Sequence, residues 1–160
     1  MTATEFVVSE CPLVIRRRVK WGDCDPAGVV YTPVFSEYVI SAAELLYGVL
    51  FNTTPQRAKA EQSFGTPTRA LSFDFQSSLR PDDEFDMTVS VAAVNTKTYA
   101  LEIVAKTPDG KPVFAATLTP VCVVRPERKS IEIPAAFRAV LLSYQANCEK
   151  FKTTCAKDAV

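Results

Sequence analysis

The chain has 160 residues, of which 48% are hydrophobic and 22% charged, so it can bury a core, and we expect a single domain over residues 1–160. Lys and Arg together number 18, as do Asp and Glu, and this zero net charge disfavours a nucleic-acid partner. No apolar run reaches the roughly 20 residues of a membrane helix, so we expect a cytoplasmic protein without a membrane partner.

The chain contains no histidine. This excludes Ser-His-Asp and Cys-His catalysis and metal sites with imidazole ligands. The five cysteines are odd in number and lack Cys-x-x-Cys spacing, so neither a metal site nor a disulfide scaffold is expected. The base of an enzyme with this composition is a carboxylate, a lysine, a tyrosine or a thiolate.

The first predicted element is a strand over residues 13–21. Apolar side chains alternate with basic ones there, and this period of two predicts one inward face. The predicted inward residues are Leu13, Ile15, Val19 and Trp21. The basic run Arg16–Arg18 is interpreted as mostly a solvent face, with a phosphate contact from one arginine as the alternative.

A loop rich in short polar residues follows, and then a long helix. Thr32 suits the N-cap, Pro33 suits the first helical position, and the apolar pattern ends before Pro55. The helix is apolar on a broad face, with near-3.6 periodicity. We therefore expect a sheet to wrap around it.

Four further strands are predicted between residues 71 and 124, separated by short turns that favour antiparallel neighbours. A terminal helix is predicted at about 135–150, and the tail after Lys152 is expected to fray. The core is expected over about residues 12–133. These elements predict an α+β fold in which an antiparallel sheet of about five strands wraps around a long central helix.

The predicted loop reads Trp21-Gly22-Asp23-Cys24-Asp25-Pro26-Ala27-Gly28-Val29-Val30-Tyr31. It resembles the signature of the hotdog-fold acyl-CoA thioesterases of the 4-hydroxybenzoyl-CoA thioesterase family, Gly-Asp-Cys/Thr-Asp-Pro/Ala-Ala-Gly before a long helix. The similarity continues at Phe64–Pro67 and Arg80–Asp83 and covers roughly residues 13–124.

The resemblance implies a hotdog fold and hydrolysis of an acyl-CoA or aromatic acyl-CoA thioester to the free acid and coenzyme A. It implies no cofactor, because coenzyme A is part of the substrate. Relatives pair two chains into one continuous sheet, with active sites between subunits, so a homodimer or a dimer-of-dimers tetramer is implied. The exposed sheet edge of a single chain also predicts pairing with a second chain.

The residues themselves agree with this chemistry. Two carboxylates, Asp23 and Asp25, lie just before a helix N-terminus, where unpaired N–H groups and the helix dipole can stabilise an oxyanion. A nearby carboxylate can attack the thioester directly or deprotonate water. The alternative interpretation of Asp25 is an ordinary turn aspartate, as most Asp-Pro pairs are.

The resemblance also assigns roles to individual positions. Asp25 matches the catalytic carboxylate, and the activating backbone N–H falls at Thr32, with the backbone N–H of Tyr31 as the second choice. Asp23 matches a position that we take to brace the loop. Ser36 stands where relatives often carry histidine, and it is assigned to the acyl pocket.

Four other residues need an interpretation. Lys97 is what remains of a basic cluster that meets the coenzyme A phosphates in relatives, or else an ordinary turn lysine. Glu37 and Glu44 lie on the helix and are alternative carboxylates, although a structural or interfacial role is favoured. Cys24 sits between two acids that would raise its pKa, which disfavours a nucleophilic thiol.

Two other functions remain open. The first is hydrolysis of acyl-carrier-protein thioesters in a biosynthetic pathway, which the thinned basic cluster favours. The second is a non-catalytic acyl-CoA-binding hotdog module, against which the intact Asp25 argues.

Overall fold

The computed structural model describes the backbone of residues 3–157 and the side chains of residues 3–152. Its elements in chain order are β1 (Glu5–Glu10), β2 (Leu13–Arg18), a 3-10 turn (Trp21–Asp23), α1 (Val34–Leu50), α2 (Pro55–Glu61), β3 (Phe64–Gly65), β4 (Thr68–Phe75), β5 (Glu84–Val94), β6 (Tyr99–Lys106), β7 (Pro112–Pro120), β8 (Val123–Val124) and α3 (Ala135–Lys157). The predicted α+β class is confirmed.

The main sheet has six antiparallel strands in the order β1-β2-β5-β6-β7-β4, and β3 pairs separately with β8. The prediction of about five strands missed β1. Its apolar residues Phe6, Val7 and Val8 are consecutive, so they show no period of two. The strand forms because it pairs with β2 across an irregular register between Val7 and Ser9.

The core lies between α1 and one face of the sheet. Alternate residues of β2, β5 and β6 point toward the helix, as predicted, and a buried aromatic group connects the layers. Tyr38 of α1 lies 5.2 Å from Phe85 of β5, and Phe35 lies 5.5 Å from Phe114 of β7, measured between ring centroids. Each such side chain contributes roughly 1.5–3 kcal/mol when fully buried.

Three details of the first predicted elements were wrong. Trp21 is 81% exposed because β2 ends at Arg18 and the chain turns before it. Arg17 points inward, toward Tyr38. α1 begins at Val34 with Pro33 in the N-cap position, so Thr32 lies one residue before the cap.

α1 ends in a sharp turn into α2. The carbonyl oxygen of Thr53 lies close to Gly48, and a Cβ at that position would approach it to 2.8 Å, so the turn requires glycine. Within residues 3–157 no single helix is long and apolar enough to cross a membrane. Taken together, α1 and α2 have the length and the apolar composition of a membrane span, but the two helices meet at a bend of 65°.

α3 packs on the same face of the sheet as α1. It begins at Ala135, as predicted, and buries Phe137, Leu141, Tyr144 and Cys148. Its backbone continues to Lys157, past the predicted end near residue 150 and past Lys152, where fraying was expected. Residues 158–160, the rest of that tail, lie outside the described residues.

Candidate active site

The signature loop folds as a small hairpin. The N–H of Tyr31 donates to the carbonyl oxygen of Asp23 (2.9 Å), and the N–H of Asp25 donates to the carbonyl oxygen of Val29 (2.9 Å). Gly28 has φ +79° and donates its N–H to the carbonyl oxygen of Asp25 (2.9 Å), a turn that favours glycine. The hairpin holds Asp25 at its tip and leads directly into α1.

Asp23 anchors the base of this hairpin. Its side chain is buried, at 6% exposure, and Oδ2 accepts hydrogen bonds from the N–H of Lys20 (3.0 Å) and the hydroxyl of Tyr38 (2.8 Å). Burial, reinforced by the hydrogen bond to Asp23, raises the pKa of Tyr38. Tyr38 therefore stays protonated and donates at neutral pH. It is a supporting residue that sequence reasoning missed, because its position on α1 is also that of an ordinary core aromatic.

Asp25 is partly exposed, and Oδ1 accepts a hydrogen bond from the N–H of Ala27 (2.8 Å). Within the described part of the chain, no hydrogen bond or ion pair engages Oδ2. One oxygen thus orients the carboxylate while the other is available to react. The pKa of the neighbouring Cys24 thiol is raised by burial and by Asp23 and Asp25, so this thiol stays protonated.

The two candidate N–H donors differ in availability. The N–H of Tyr31 is occupied by the carbonyl of Asp23, and Pro33 has no N–H. The N–H of Val34 donates to the carbonyl of Tyr31 (2.8 Å). The N–H of Thr32 has no acceptor among residues 3–152, and it lies at the positive end of the α1 dipole. It is therefore suited to bind an oxyanion.

A polar network joins α1 to β1 beside this loop. Arg17 donates to Glu5 (2.6 Å), Glu5 accepts from the hydroxyl of Ser41 (2.5 Å), and the Arg17 guanidinium lies 4.5 Å from the centre of the Tyr38 ring. The solvent-face interpretation is therefore wrong for Arg17, because its partners lie on the inner face.

The other two arginines of the run form ion pairs within the chain. Arg16 binds Asp86 through two hydrogen bonds of 2.8 Å each. Arg18 contacts Asp82 at 3.1 Å. In the described structure each arginine of the run thus has a carboxylate partner, which leaves little reason to assign one of them to a phosphate.

The remaining predicted site residues are dispersed. Ser36 lies half-buried in the first turn of α1. The loop binds the segment before β5, since the N–H of Val30 donates to the carbonyl of Leu79 (2.9 Å). Lys97 follows β5, and its Nζ lies 3.5 Å from Oγ of Ser130. The eleven residues of β5 span roughly 35 Å. Within a single chain, Lys97 and the loop therefore lie at opposite ends of the sheet.

A cavity of about 790 Å³ lies along the C-terminal half of α1, at the Lys97 end of the sheet. Its lining includes Ile40, Glu44, Tyr47, Thr66, Tyr99 and Arg125, but neither Asp25 nor Ser36. Burial raises the pKa of Tyr47 to about 12 and raises that of Tyr99. Sequence reasoning missed this cavity, although the segment Phe64–Pro67 contributes to its wall.

Residues 19–141, more than half of the chain, match the family profile of the thioesterase-like superfamily. The chain belongs to this superfamily. Its general reaction class is therefore thioester hydrolysis, and the predicted family resemblance is confirmed. No curated protein matches the sequence.

Solved structures of thioesterases share the fold. A thioesterase-superfamily protein from Jannaschia sp. CCS1 is 26% identical with a TM-score of 0.75, over 81% of this chain and 90% of that one. A 1,4-dihydroxy-2-naphthoyl-CoA thioesterase from Synechocystis is 21% identical with a TM-score of 0.70, over 81% and 94%. A mutant 4-hydroxybenzoyl CoA thioesterase complexed with 4-hydroxybenzoyl CoA is 21% identical with a TM-score of 0.70, over 87% and 99%.

Two helical carboxylates of this thioesterase-like chain were alternatives to Asp25. Glu37 is exposed on the first turn of α1, and Glu44 is exposed at the rim of the cavity. Neither shares the hairpin with the available N–H of Thr32. Among the described residues, no group of three Cys, Asp or Glu side chains is placed to hold a metal ion.

Proposed function

We propose that the protein hydrolyses an acyl-CoA or aromatic acyl-CoA thioester to the free acid and coenzyme A, in the cytoplasm, with Asp25 as base or nucleophile. One observation carries the proposal. Asp25 has one uncommitted carboxylate oxygen, and the same hairpin ends at the N–H of Thr32, which has no acceptor among residues 3–152.

The chemistry has two possible routes. Asp25 either attacks the thioester carbonyl and forms an anhydride, which water then hydrolyses, or it takes a proton from the attacking water. In both routes the carbonyl oxygen gains negative charge and the thiolate of coenzyme A leaves. The N–H of Thr32 stabilises this charge, and one such donor is worth about 10²–10³ in turnover. Tyr31 stays the second choice, because its N–H already donates to the carbonyl oxygen of Asp23.

The proposal includes a homodimer formed through the edge strand β4, with a dimer of dimers as a further step. Phe75 on β4 is 47% exposed, and Ile40 of α1 is exposed on the same side. A two-fold axis beside β4 makes the two α1 helices antiparallel. The loop of one chain then meets the cavity and Lys97 end of the other, so the acyl group and the coenzyme A phosphates lie between subunits. Ser36 would line the acyl pocket near the loop.

Coenzyme A is the proposed carrier because a solved thioesterase of the same fold is complexed with 4-hydroxybenzoyl CoA. The alternative carrier is acyl carrier protein. One observation favours it: the turn at residues 95–97 offers a single cation, and this cation contacts Ser130. A non-catalytic binding module is disfavoured, since such a module has no need of an available carboxylate beside an available N–H.

A substrate panel tests the proposal. Purified protein is mixed with benzoyl-, phenylacetyl- and straight-chain acyl-CoA, and with the same acyl groups on acyl carrier protein, while a thiol reagent records release. We expect turnover of at least one coenzyme A thioester. Release only from the carrier protein would support the alternative carrier. Tight binding of these thioesters without release would contradict hydrolysis and support the binding module.

A further inference from the structure

A largely buried ion pair joins the edge strand β1 to the core beside the signature loop. Glu5 of β1 and Arg17 of β2 face each other across the two strands, and Nη1 of Arg17 donates to Oε2 of Glu5 (2.6 Å). Their side chains are only 19% and 13% exposed. Charges withdrawn from water to this extent need close partners, and removing one partner leaves the other charge uncompensated.

The same pair contacts α1 at two points about one helical turn apart. Oε1 of Glu5 accepts from the hydroxyl of Ser41 (2.5 Å), and the guanidinium carbon of Arg17 lies 4.5 Å from the centre of the Tyr38 ring. Nε of Arg17 is buried and has no hydrogen-bond acceptor within residues 3–152. Glu5 is the carboxylate that forms an ion pair with Arg17, so it compensates the positive charge held over the ring.

Tyr38 connects this pair to the loop. Its hydroxyl donates to Oδ2 of Asp23 (2.8 Å), and the carbonyl oxygen of Asp23 accepts the N–H of Tyr31 (2.9 Å). That backbone bond closes the hairpin next to Thr32, whose N–H is the proposed oxyanion donor. A continuous series of contacts therefore runs from Glu5, on the edge strand, to the loop.

We propose that Glu5 is a positioning residue for thioester hydrolysis, because it holds Arg17 against Tyr38. Tyr38 in turn fixes the hairpin that presents Asp25 and the N–H of Thr32 to the substrate. This inference rests on the proposed function, since it assigns a role in that reaction. Without the carboxylate, the guanidinium is left unpaired and moves toward water, so the ring that supports the loop loses its cover. A displacement of about 1 Å at the reacting groups is enough to lower turnover about 10²-fold.

A neighbouring ion pair provides a matched control. Arg16 binds Asp86 through two hydrogen bonds of 2.8 Å, and these side chains are 31% and 23% exposed. Successive side chains of a strand point to opposite faces, so this pair lies on the face of β2 that is turned away from α1. Among the residues with described side chains, it makes no hydrogen bond to the loop. A change that acts only through net charge or through pairing on β2 therefore affects both pairs alike.

The test compares Glu5→Gln with Asp86→Asn in the full-length protein. Each change replaces a carboxylate by an amide of nearly the same shape and removes one negative charge. Hydrogen exchange in residues 21–32, measured relative to the amides of β6, reports on the hairpin without any substrate. We expect Glu5→Gln to speed this exchange at least about tenfold, whereas Asp86→Asn leaves it unchanged. With a thioester that the wild type hydrolyses, kcat should fall about 10–100-fold in Glu5→Gln while KM changes little.

A double variant separates positioning from a general loss of stability. Glu5→Gln combined with Arg17→Met leaves no buried charge, and methionine can still pack on the Tyr38 ring. We expect slower loop exchange and a higher kcat in the double variant than in Glu5→Gln alone. Additive losses would overturn the proposal, and so would equal effects of Glu5→Gln and Asp86→Asn.

Two further outcomes keep the proposal distinct from the proposed function. If Glu5→Gln does not fold, Ser41→Ala decides, because it removes one of the bonds that hold Glu5 and should still speed loop exchange; unchanged exchange would overturn the positioning role. A wild type that hydrolyses no thioester would contradict the function, and Glu5 would then have no reaction to serve, whatever the exchange shows. Hydrolysis by Glu5→Gln at the wild-type rate would contradict the positioning role alone.

Discussion

The two flanks of α1 differ in how their side chains are covered. On the β1 flank, Arg17 and Ser41 both bind Glu5, and the Arg17 guanidinium covers the Tyr38 ring that supports the signature loop. On the β4 flank, a cavity of about 790 Å³ opens beside α1, and Phe75 is half exposed at the sheet edge.

In the proposed mechanism, this difference separates the loop that carries the reacting carboxylate from the surface that binds the substrate. Charged and polar groups that are withdrawn from water need partners in the same chain, because leaving them unpaired costs roughly 1–3 kcal/mol each. Leaving apolar surface exposed costs less than leaving a buried polar group unpaired, so such surface can stay uncovered until a substrate or a second chain binds. The polar groups of the loop thus find their partners within one chain, whereas the β4 flank leaves an apolar side chain and a cavity open to solvent.

The largest effect is expected from Asp25→Asn on the loop. The amide can still accept the N–H of Ala27, but it can neither attack a thioester nor take a proton from water. Turnover should fall by at least about 10²–10⁴, while coenzyme A thioester binding and Tm change little. Steady-state hydrolysis and calorimetric binding measure the two quantities.

Asp23→Asn and Glu37→Gln are the matched controls for Asp25→Asn. Asp23→Asn should act through loop order and stability, with a smaller effect on turnover, and Glu37→Gln should have little effect. If Asp25→Asn hydrolyses at a near wild-type rate while either control is inactive, the catalytic carboxylate is misassigned. If all three remain active, the loop mechanism is wrong.

The next largest effect is expected at the β4 edge. Phe75→Lys places a charge on the proposed interface and should weaken the homodimer by at least about tenfold. Phe6→Lys is the control, because Phe6 is a similarly exposed phenylalanine on the opposite edge strand, β1. Light scattering over a dilution series gives the mass of each variant. A monomeric wild type at micromolar concentration, or equal weakening by both changes, would contradict a β4 interface.

A smaller effect should follow from removing one hydroxyl on either flank. Tyr38→Phe deletes the donor to Asp23, which should lower the free energy of unfolding by about 1 kcal/mol and reduce kcat more than it raises KM. Tyr47→Phe removes a cavity hydroxyl that has no hydrogen-bond partner among residues 3–152, so its unfolding free energy should match wild type. Urea unfolding and steady-state kinetics distinguish the two. Equal losses in both would show that the loop has no special dependence on Tyr38.

Alkaline pH should gradually reduce the stabilisation that the hydrogen bond from Tyr38 to Asp23 provides. The pKa of Tyr38 in the folded state lies above its unfolded value of about 10, because burial and the bond to Asp23 disfavour the phenolate. Its contribution is therefore fully present below pH ~10 and is lost as pH rises beyond that, since only the unfolded chain then ionises. Urea unfolding of wild type and Tyr38→Phe at increasing pH should show a shallower decline in the variant. Parallel curves would contradict this assignment.

No effect is expected from chelation. The proposed mechanism uses only Asp25 and a backbone N–H, so activity should survive dialysis against EDTA. Assays before and after dialysis measure this directly. Activity that disappears and returns with a divalent ion would refute a metal-independent loop.

The sequence by itself determined the elements whose signal is local. The apolar period of α1, the alternation in β5 and β6 and the loop motif around Asp25 all reflect the residues in their own segment. The helix α1 and the strands β5 and β6 were predicted correctly, apart from shifts of up to about three residues at their ends. The sequence also excluded histidine as the base of any enzyme here, since the chain has none, and left a carboxylate, a lysine, a tyrosine or a thiolate.

Tertiary structure decided everything that depends on a distant neighbour. β1 exists because β2 offers it hydrogen bonds, and Arg17 turns inward because Glu5 is there to pair with it. The resemblance had already ranked Thr32 above Tyr31 as the proposed oxyanion donor, and the structure adds a physical reason, the backbone bond across the hairpin that occupies the N–H of Tyr31. The cavity, and the separation of Lys97 from the loop along β5, likewise arise only when strands distant in sequence lie side by side.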